Sequence, residues 1–146
     1  MPSVEDTHLR NRFRIQPNDS NSYGTAHGGS VMKWLDEVGA MAAMRFSGET
    51  CVTARMGAID FGHPVPVGDT VLIDAYVFDA GETSVHVHLT SYHEDPRTGE
   101  TTETSWTTTT YVAVDADGDP TSVPTLTVDS ERGEELRAVA LEHDDA

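Results

Sequence analysis

The sequence predicts an α+β fold in which one antiparallel β-sheet curves around a single long helix. Residues 28–46 have the apolar spacing of a helix and are apolar on nearly every side, which is typical of a buried helix. Several later segments alternate apolar and polar residues at hairpin-like separations, as antiparallel strands do. A second helical pattern at about 129–143 closes a chain of 146 residues, which we expect to form one domain from 1 to 146.

The first third of the chain predicts a strand, a loop and the long helix. Residues 8–16, HLRNRFRIQ, alternate and indicate a short strand. PNDSNSYGTA (17–26) holds Pro, Asn, Asp, Ser and Gly, which favour a loop. Within the helix, helical spacing predicts a core-facing set, and Trp34 belongs to it. That set is Val31, Trp34, Leu35, Val38, Met41 and Ala42.

Four further strands are expected before the last helix. They are predicted at 51–61, 70–80, 84–93 and 102–115. In the first of them the apolar phase slips at Gly57, which suggests a β-bulge. Asp129 or Ser130 is the expected cap of the C-terminal helix. One helix cannot cover both faces of such a sheet, so we expect the other face or an edge to meet a partner subunit.

The charge balance excludes one class of partner. Asp and Glu number 25 against 9 Lys and Arg, for a formal net charge of −16, and Lys33 is the only lysine. Nucleic acid is therefore not an expected partner, because the chain cannot neutralise phosphates over a wide face. The acids are spread among helix-like and strand-like segments, which suits a solvated, halophile-like surface. At about 1 M salt the Debye length is about 3 Å and self-repulsion is screened.

The remaining composition argues for a cytoplasmic protein. No apolar stretch reaches the roughly 18 residues of a membrane-spanning helix, so no membrane partner is expected. The start, MPSVEDTHLR, lacks the basic flank and apolar stretch of a signal peptide. Cys51 is the only cysteine, so no internal disulfide is possible.

The start of the long helix holds the first candidate for chemistry. Gly28 and Gly29 follow His27, and the first amides of a helix have no internal partners and carry the positive end of its dipole. Their N–H groups could hold a developing negative oxygen. The alternative is a loop that needs glycine for packing.

Asp36 and Asn21 are the other candidates. Asp36 has apolar neighbours along the helix, and a partly desolvated carboxylate there would suit a base or a nucleophile. Alternatively, Asp36 lies on a solvent-exposed face of the helix beside Lys33 and Glu37. Asn21 can donate and accept, and could orient a water or a carbonyl, or simply form a turn. His86 and His88 share a strand face, but without an evident third ligand we expect solvent-facing histidines and no metal site.

Five blocks together resemble one enzyme family. NSYGTAHGG and WLDE are followed by VTARMGAIDFGHPVPVGDTV, GETSVHVHL and TTTTYVAVDADGDPTSVP. In this order they resemble the hot-dog-fold acyl-CoA thioesterases of the acyl-CoA hydrolase branch, roughly from Phe13 to Pro124. The resemblance implies a hot-dog fold and hydrolysis of acyl-CoA to CoA and a carboxylic acid, with no metal or redox cofactor. It also implies a homodimer joined edge to edge, often assembled into a hexamer.

The resemblance assigns roles to residues of this chain. Asp36 and Asn21 match the catalytic pair, contributed by opposite subunits, with Asp36 acting as a base on water or as a nucleophile. Gly28 and Gly29 match the amides that hold the thioester oxygen, and His27 lines that pocket.

The site for CoA itself is less well matched. Arg55, Thr83 and Ser84 are the candidate CoA contacts, although Glu82 stands where the family often has Arg or Lys. Two rival functions stay open. One is a non-catalytic acyl-CoA sensor. The other is a hot-dog enoyl-CoA hydratase, which typically uses an Asp–His pair at another spacing.

Overall fold

Five strands and two helices make up the fold of this computed structural model, which describes residues 2–144. In chain order they are β1 (Leu9–Arg14), α1 (Gly28–Ser47), β2 (Thr50–Met56), β3 (Thr70–Ala80), β4 (Ser84–Glu94), β5 (Thr101–Val114) and α2 (Glu131–Asp144). The strands form one antiparallel sheet of order β1-β3-β4-β5-β2. Helix α1 packs on its inner face and α2 on its outer face, which confirms the predicted α+β architecture.

Helix α1 is held by an almost entirely apolar contact with the sheet. Leu35, Val38 and Ala42 are fully buried against inward-facing residues of β3, β4 and β5. Trp34 stacks on Phe13 of β1, with ring centroids 4.9 Å apart. The helix ends at Ser47 and is capped by Gly48, whose φ of 72° is the left-handed conformation that glycine adopts most readily. The predicted helix is confirmed to within one residue.

The strand after α1 differs from its prediction. β2 ends at Met56, and its irregularity lies between Thr53 and Arg55, not at Gly57. The bulge predicted at Gly57 is therefore wrong. Gly57 is instead a point of close backbone approach, because its N–H donates to the Thr108 carbonyl at 2.8 Å and a Cβ would lie 2.8 Å from that oxygen. β2 is an edge strand, and Val52 on it is 48% exposed.

The outer face of the sheet is covered in part by the chain's own C-terminal helix. Ser130, one of the two predicted caps, accepts the Gly133 N–H at 2.9 Å. Leu136 of α2 packs with Tyr76 and Phe78 of β3, and the Tyr76 hydroxyl donates to the Leu136 carbonyl at 2.6 Å. Within residues 2–144, no helix has the length and apolarity needed to cross a membrane.

The prediction of a solvent-facing His88 is wrong. Its side chain lies beneath α2 and is 2% exposed, with Nε2 at 2.8 Å from His143 Nδ1 and Nδ1 without a partner among the described residues. Burial lowers the pKa of His88 to about 4; the nearby His143 adds to this, and Asp74 partly opposes it. His86 is half-buried and hydrogen-bonded to Thr110 at 3.0 Å.

The His88 environment predicts acid sensitivity. The pKa of His88 is lowered to about 4 in the folded chain, against about 6.5 for an unfolded histidine, so the unfolded chain binds the proton first. Stability is fully present above about pH 6.5 and is lost as the pH falls towards 4. Between pH 7.5 and 5.0 the free energy of urea unfolding should fall by about 2 kcal/mol from this residue alone.

The matched variants are His88→Gln, which keeps a neutral donor for His143, and His63→Gln, which changes an exposed imidazole. His88→Gln should flatten the pH dependence by that amount, and His63→Gln should not. The same pH dependence of the unfolding free energy in the natural protein and in both variants would contradict the role assigned to His88.

Candidate active site

Asp36 lies at the seam between α1 and the edge strand β2. Its Oδ1 accepts a hydrogen bond from Thr53 Oγ1 at 2.7 Å and a second from the Tyr111 hydroxyl at 3.1 Å. The Tyr111 hydroxyl also lies 3.0 Å from the Asp36 carbonyl. The residue is half-buried. The carboxylate is thus fixed through one oxygen, and Oδ2 has no partner among the described residues.

Tyr111 is a buried donor that the sequence patterns did not single out. Burial raises the pKa of its phenol, and the neighbouring Asp36 carboxylate raises it further, so the hydroxyl stays protonated and donates. Gly39 of α1 lies directly against this hydroxyl, and a Cβ at that position would overlap it. Thr53 and Tyr111 pair across β2 and β5. The sequence shows them only as ordinary strand formers, and the register that pairs them was the missing signal.

Asn21 forms the turn that was the alternative to a catalytic role, but only its side-chain oxygen takes part in that turn. Oδ1 accepts from the Tyr23 N–H at 3.0 Å, the Thr25 N–H at 3.2 Å and the Thr25 hydroxyl at 3.1 Å. Two backbone donors around this atom require it to be the oxygen, so the amide orientation follows from its partners. The Nδ2 amino group, with no partner among the described residues, is left as a donor.

The two glycines at the start of α1 differ in what their amides do. His27 caps the helix, and its Nδ1 accepts the Gly29 N–H at 3.0 Å. The Gly28 N–H has no partner among the described residues, as expected for the first residue of a helix. In this conformation the Gly29 N–H is bonded to His27, so it would reach a substrate oxygen only after releasing His27.

A cavity of about 290 Å³ opens beside the helix start. Asn21 and Gly28 both line it, so the loop and the helix bring to one cavity two residues that each have an unpartnered N–H donor among the described residues. Asp36 does not line it. Eight residues separate Gly28 from Asp36 along α1, an axial rise of about 12 Å. Within one chain, the sequence-predicted site residues therefore form two separate groups.

Two of the predicted CoA contacts, Arg55 and Ser84, lie near each other on the outer face of the sheet. Arg55 pairs with Thr110, which is hydrogen-bonded to His86 beside Ser84. Arg55 follows the irregularity in β2 and lines a second cavity of about 260 Å³ on the outer face, with Trp106 and Thr108. Ser84 Oγ lies 3.5 Å from His86 Nε2, and the Thr83 carbonyl accepts the Ala113 N–H at 3.0 Å. In the described part of the chain, no three His, Cys, Asp or Glu side chains are grouped to hold a metal ion.

The seam around Asp36 exposes apolar side chains. Met32 precedes Asp36 by four residues and Met44 follows it by eight, so all three lie on one stripe of α1. Met32 is 42% exposed and Met44 37%. Val52 on the neighbouring edge strand is also exposed. An unpaired edge beside an apolar helix stripe is the kind of surface that a second subunit covers.

The family model and the similar proteins all indicate the same family for this chain. Residues 23–100 match the model of the thioesterase superfamily. The uncharacterized acyl-CoA thioester hydrolase YkhA of Bacillus subtilis is 31% identical over 129 residues, which cover 88% of this chain and 75% of that protein.

Solved structures agree with the sequence relatives. The acyl-CoA hydrolase of Staphylococcus aureus, in complex with butyryl coenzyme A, coenzyme A and coenzyme A disulfide, has a TM-score of 0.87 at 26% identity, covering 98% of this chain and 87% of that one. Variants of the Staphylococcus aureus enzyme with alanine in place of one Asn, one Thr or one Asp are also similar. An apo-hexameric acyl-CoA thioesterase has a TM-score of 0.87 at 31% identity, covering 98% of this chain and 92% of that one.

Proposed function

We propose that this chain, which belongs to the acyl-CoA thioester hydrolases of the hot-dog thioesterase superfamily, cleaves its substrate between two subunits. Water adds to the thioester carbonyl carbon, the C–S bond breaks, and the products are a carboxylic acid and the CoA thiol. One subunit supplies the donors that hold the carbonyl oxygen. Its partner supplies the Asp36 carboxylate.

The oxygen-binding half consists of the Gly28 N–H and the Asn21 amino group. Both line the same cavity, and neither has a partner among the described residues. As the carbonyl oxygen becomes negative in the transition state, the positive end of the α1 dipole and two fixed donors stabilise it more than they stabilise the substrate. Because the Asn21 oxygen is held by the turn, its role here is to donate. His27 holds the helix start in place through Gly29.

The reacting half is Asp36 of the other subunit. Its own helix start is about 12 Å away along α1, whereas an attacking atom has to come within about 3.5 Å of the carbonyl carbon. Oδ1 is fixed by Thr53 and Tyr111, which leaves Oδ2 to react. Oδ2 either takes a proton from the attacking water or attacks the carbonyl itself, giving a mixed anhydride that water then hydrolyses.

The Staphylococcus aureus variants support this choice of residues. The Asn, Asp and Thr that were replaced by alanine in that enzyme are separated by 15 and then 17 positions. Asn21, Asp36 and Thr53 of this chain have the same two separations. Thr53 acts on the carboxylate and not on the substrate, so we assign it as a positioning residue.

The assembly that this mechanism requires is a homodimer joined through β2, with three dimers forming a hexamer. The unpaired β2 edge and the exposed methionines beside Asp36 support the dimer, and hexameric relatives support the larger assembly. Arg55, Thr83 and Ser84 stay as the predicted CoA contacts. Arg55 of β2 and Ser84 of β4 lie on the outer face of the sheet, opposite the face that carries α1 and Asp36.

Replacing either half of the proposed site should abolish most of the turnover. Asp36→Asn removes the reacting oxygen and Asn21→Ala removes a donor, so each should lower kcat/KM by about 100-fold or more. Thr53→Val should cost about tenfold, since it loosens the carboxylate without removing it. The assay is thiol release from a panel of acyl-CoAs, with circular dichroism to confirm folding.

Two neighbouring polar residues serve as matched controls. Glu37→Gln removes an exposed carboxylate next to Asp36, and Asn11→Ala removes an exposed amide of β1; both variants should keep their turnover. A folded Asp36→Asn variant with an unchanged rate would refute the assignment. Binding of acyl-CoA by the natural protein without thiol release would favour the sensor function instead.

The acidic surface predicts an effect of salt on the reaction with CoA substrates. CoA is polyanionic and the chain carries a formal net charge of −16, so encounter is opposed at low ionic strength. From 0.1 to 1 M KCl, kcat/KM for butyryl-CoA should rise about threefold or more. The uncharged N-acetylcysteamine thioester of butyrate should show no such rise. Highest activity on butyryl-CoA at low ionic strength would contradict the prediction.

A further inference from the structure

We infer that the cavity beside Gly28 takes an apolar acyl chain of up to about ten carbons, and that Phe61 sets this limit. The inference rests on the proposed function, because it places the thioester carbonyl at the Gly28 N–H. The acyl chain then continues from the carbonyl into the cavity, and the CoA portion leaves in the other direction.

The inner walls of the cavity are apolar and buried. Val31, Val65 and Val71, which are 6%, 4% and 0% exposed, form its base between the start of α1 and β3. Ala26 and Pro64 add further apolar wall. An aliphatic chain that enters this space leaves water and contacts apolar side chains, which is favourable by about 0.8 kcal/mol for each buried methylene.

The two threonine hydroxyls in the walls already have hydrogen-bond partners. The Thr104 hydroxyl is bonded to Ser91 Oγ at 2.7 Å and to the Ser91 carbonyl at 3.1 Å. The Thr25 hydroxyl donates to Asn21 Oδ1 at 3.1 Å. Among the described lining residues His63 is the one ionisable side chain, and it is exposed at the rim. A charged group at the far end of the acyl chain would therefore be buried without a partner.

One wall of the cavity is formed by the side chain of Phe61. Its ring would lie 3.4 Å from a Cβ on Gly28, so it closes the cavity on the side of the helix start. The ring is 47% exposed, yet the backbone beside it is fixed, since the Gly62 N–H donates to the Thr104 carbonyl at 2.9 Å. A change of ring size therefore alters the cavity without disturbing the core.

The volume that one subunit encloses gives the order of magnitude of the chain length. The cavity holds about 290 Å³, and a methylene-sized group occupies roughly 30 Å³, the share of one water in the liquid. About ten such groups fill it. Longer chains have to displace Phe61 or leave carbons in water.

The test is the chain-length profile of thiol release, measured with acyl-CoAs from two to sixteen carbons below their micelle concentrations. The natural protein should lose activity beyond about ten carbons. Phe61→Ala should raise kcat/KM for the twelve- to sixteen-carbon substrates about fivefold or more, and Phe61→Trp should shift the limit to shorter chains. Val139→Ala, which truncates a side chain of equal exposure (46%) on α2, is the control and should leave the profile unchanged.

A second comparison tests the polarity of the cavity. Succinyl-CoA, whose acyl chain has the four carbons of butyryl-CoA but ends in a carboxylate, should be cleaved with a kcat/KM at least about tenfold lower than that of butyryl-CoA. An unchanged profile in both Phe61 variants, or equal cleavage of the two four-carbon substrates, would overturn the inference and leave the proposed function intact. Absence of thiol release from every substrate by the natural protein would refute the proposed function itself.

Discussion

The packing of α1 against the inner face of one sheet is the constraint on which the rest of the structure depends. Leu35 and Val38 are fully buried in it and Phe46 nearly so, and each contributes roughly 1.5–3 kcal/mol by leaving water. Because the helix cannot rotate or slide without exposing them, its first turn stays at the cavity and Asp36 stays at the edge strand. In the proposed mechanism, the oxygen-binding residues and Asp36 are thereby held too far apart within one chain to act on the same thioester.

The proposed division of the site between two subunits would make catalysis depend on assembly. Beside Asp36, the outer edge of β2 has no partner strand within the chain, and methionines of α1 are exposed. The surface that a second subunit would cover therefore lies next to the proposed reacting carboxylate. Thr53 on the edge strand and Tyr111 on its neighbour fix the carboxylate within its own chain. A second subunit then has to bring only a helix start and a loop, both of which are already ordered by contacts within their own chain.

Periodicity and turn chemistry predicted the helix and the strands, because these depend on neighbours along the sequence, whereas the roles of the candidate residues came from the family resemblance. The remaining features depend on tertiary contacts. Gly57 is a glycine because the Thr108 carbonyl approaches it, and the burial of His88 required the position of α2. The roles of Thr53 and Tyr111 required the register between β2 and β5. The sequence indicates which residues have reactive side chains, whereas their hydrogen-bond partners depend on the strand order and on the positions of the helices.

The most direct measurement of the divided site combines two inactive variants. Asp36→Asn and Asn21→Ala chains are coexpressed with different tags, assemblies that carry both are isolated, and their composition is measured by native mass spectrometry. If each site takes Asp36 from one subunit and Asn21 from the other, a mixed dimer has one intact site and should regain about half the thiol-release rate of the natural protein. Mixed assemblies no more active than the separate variants would contradict the account.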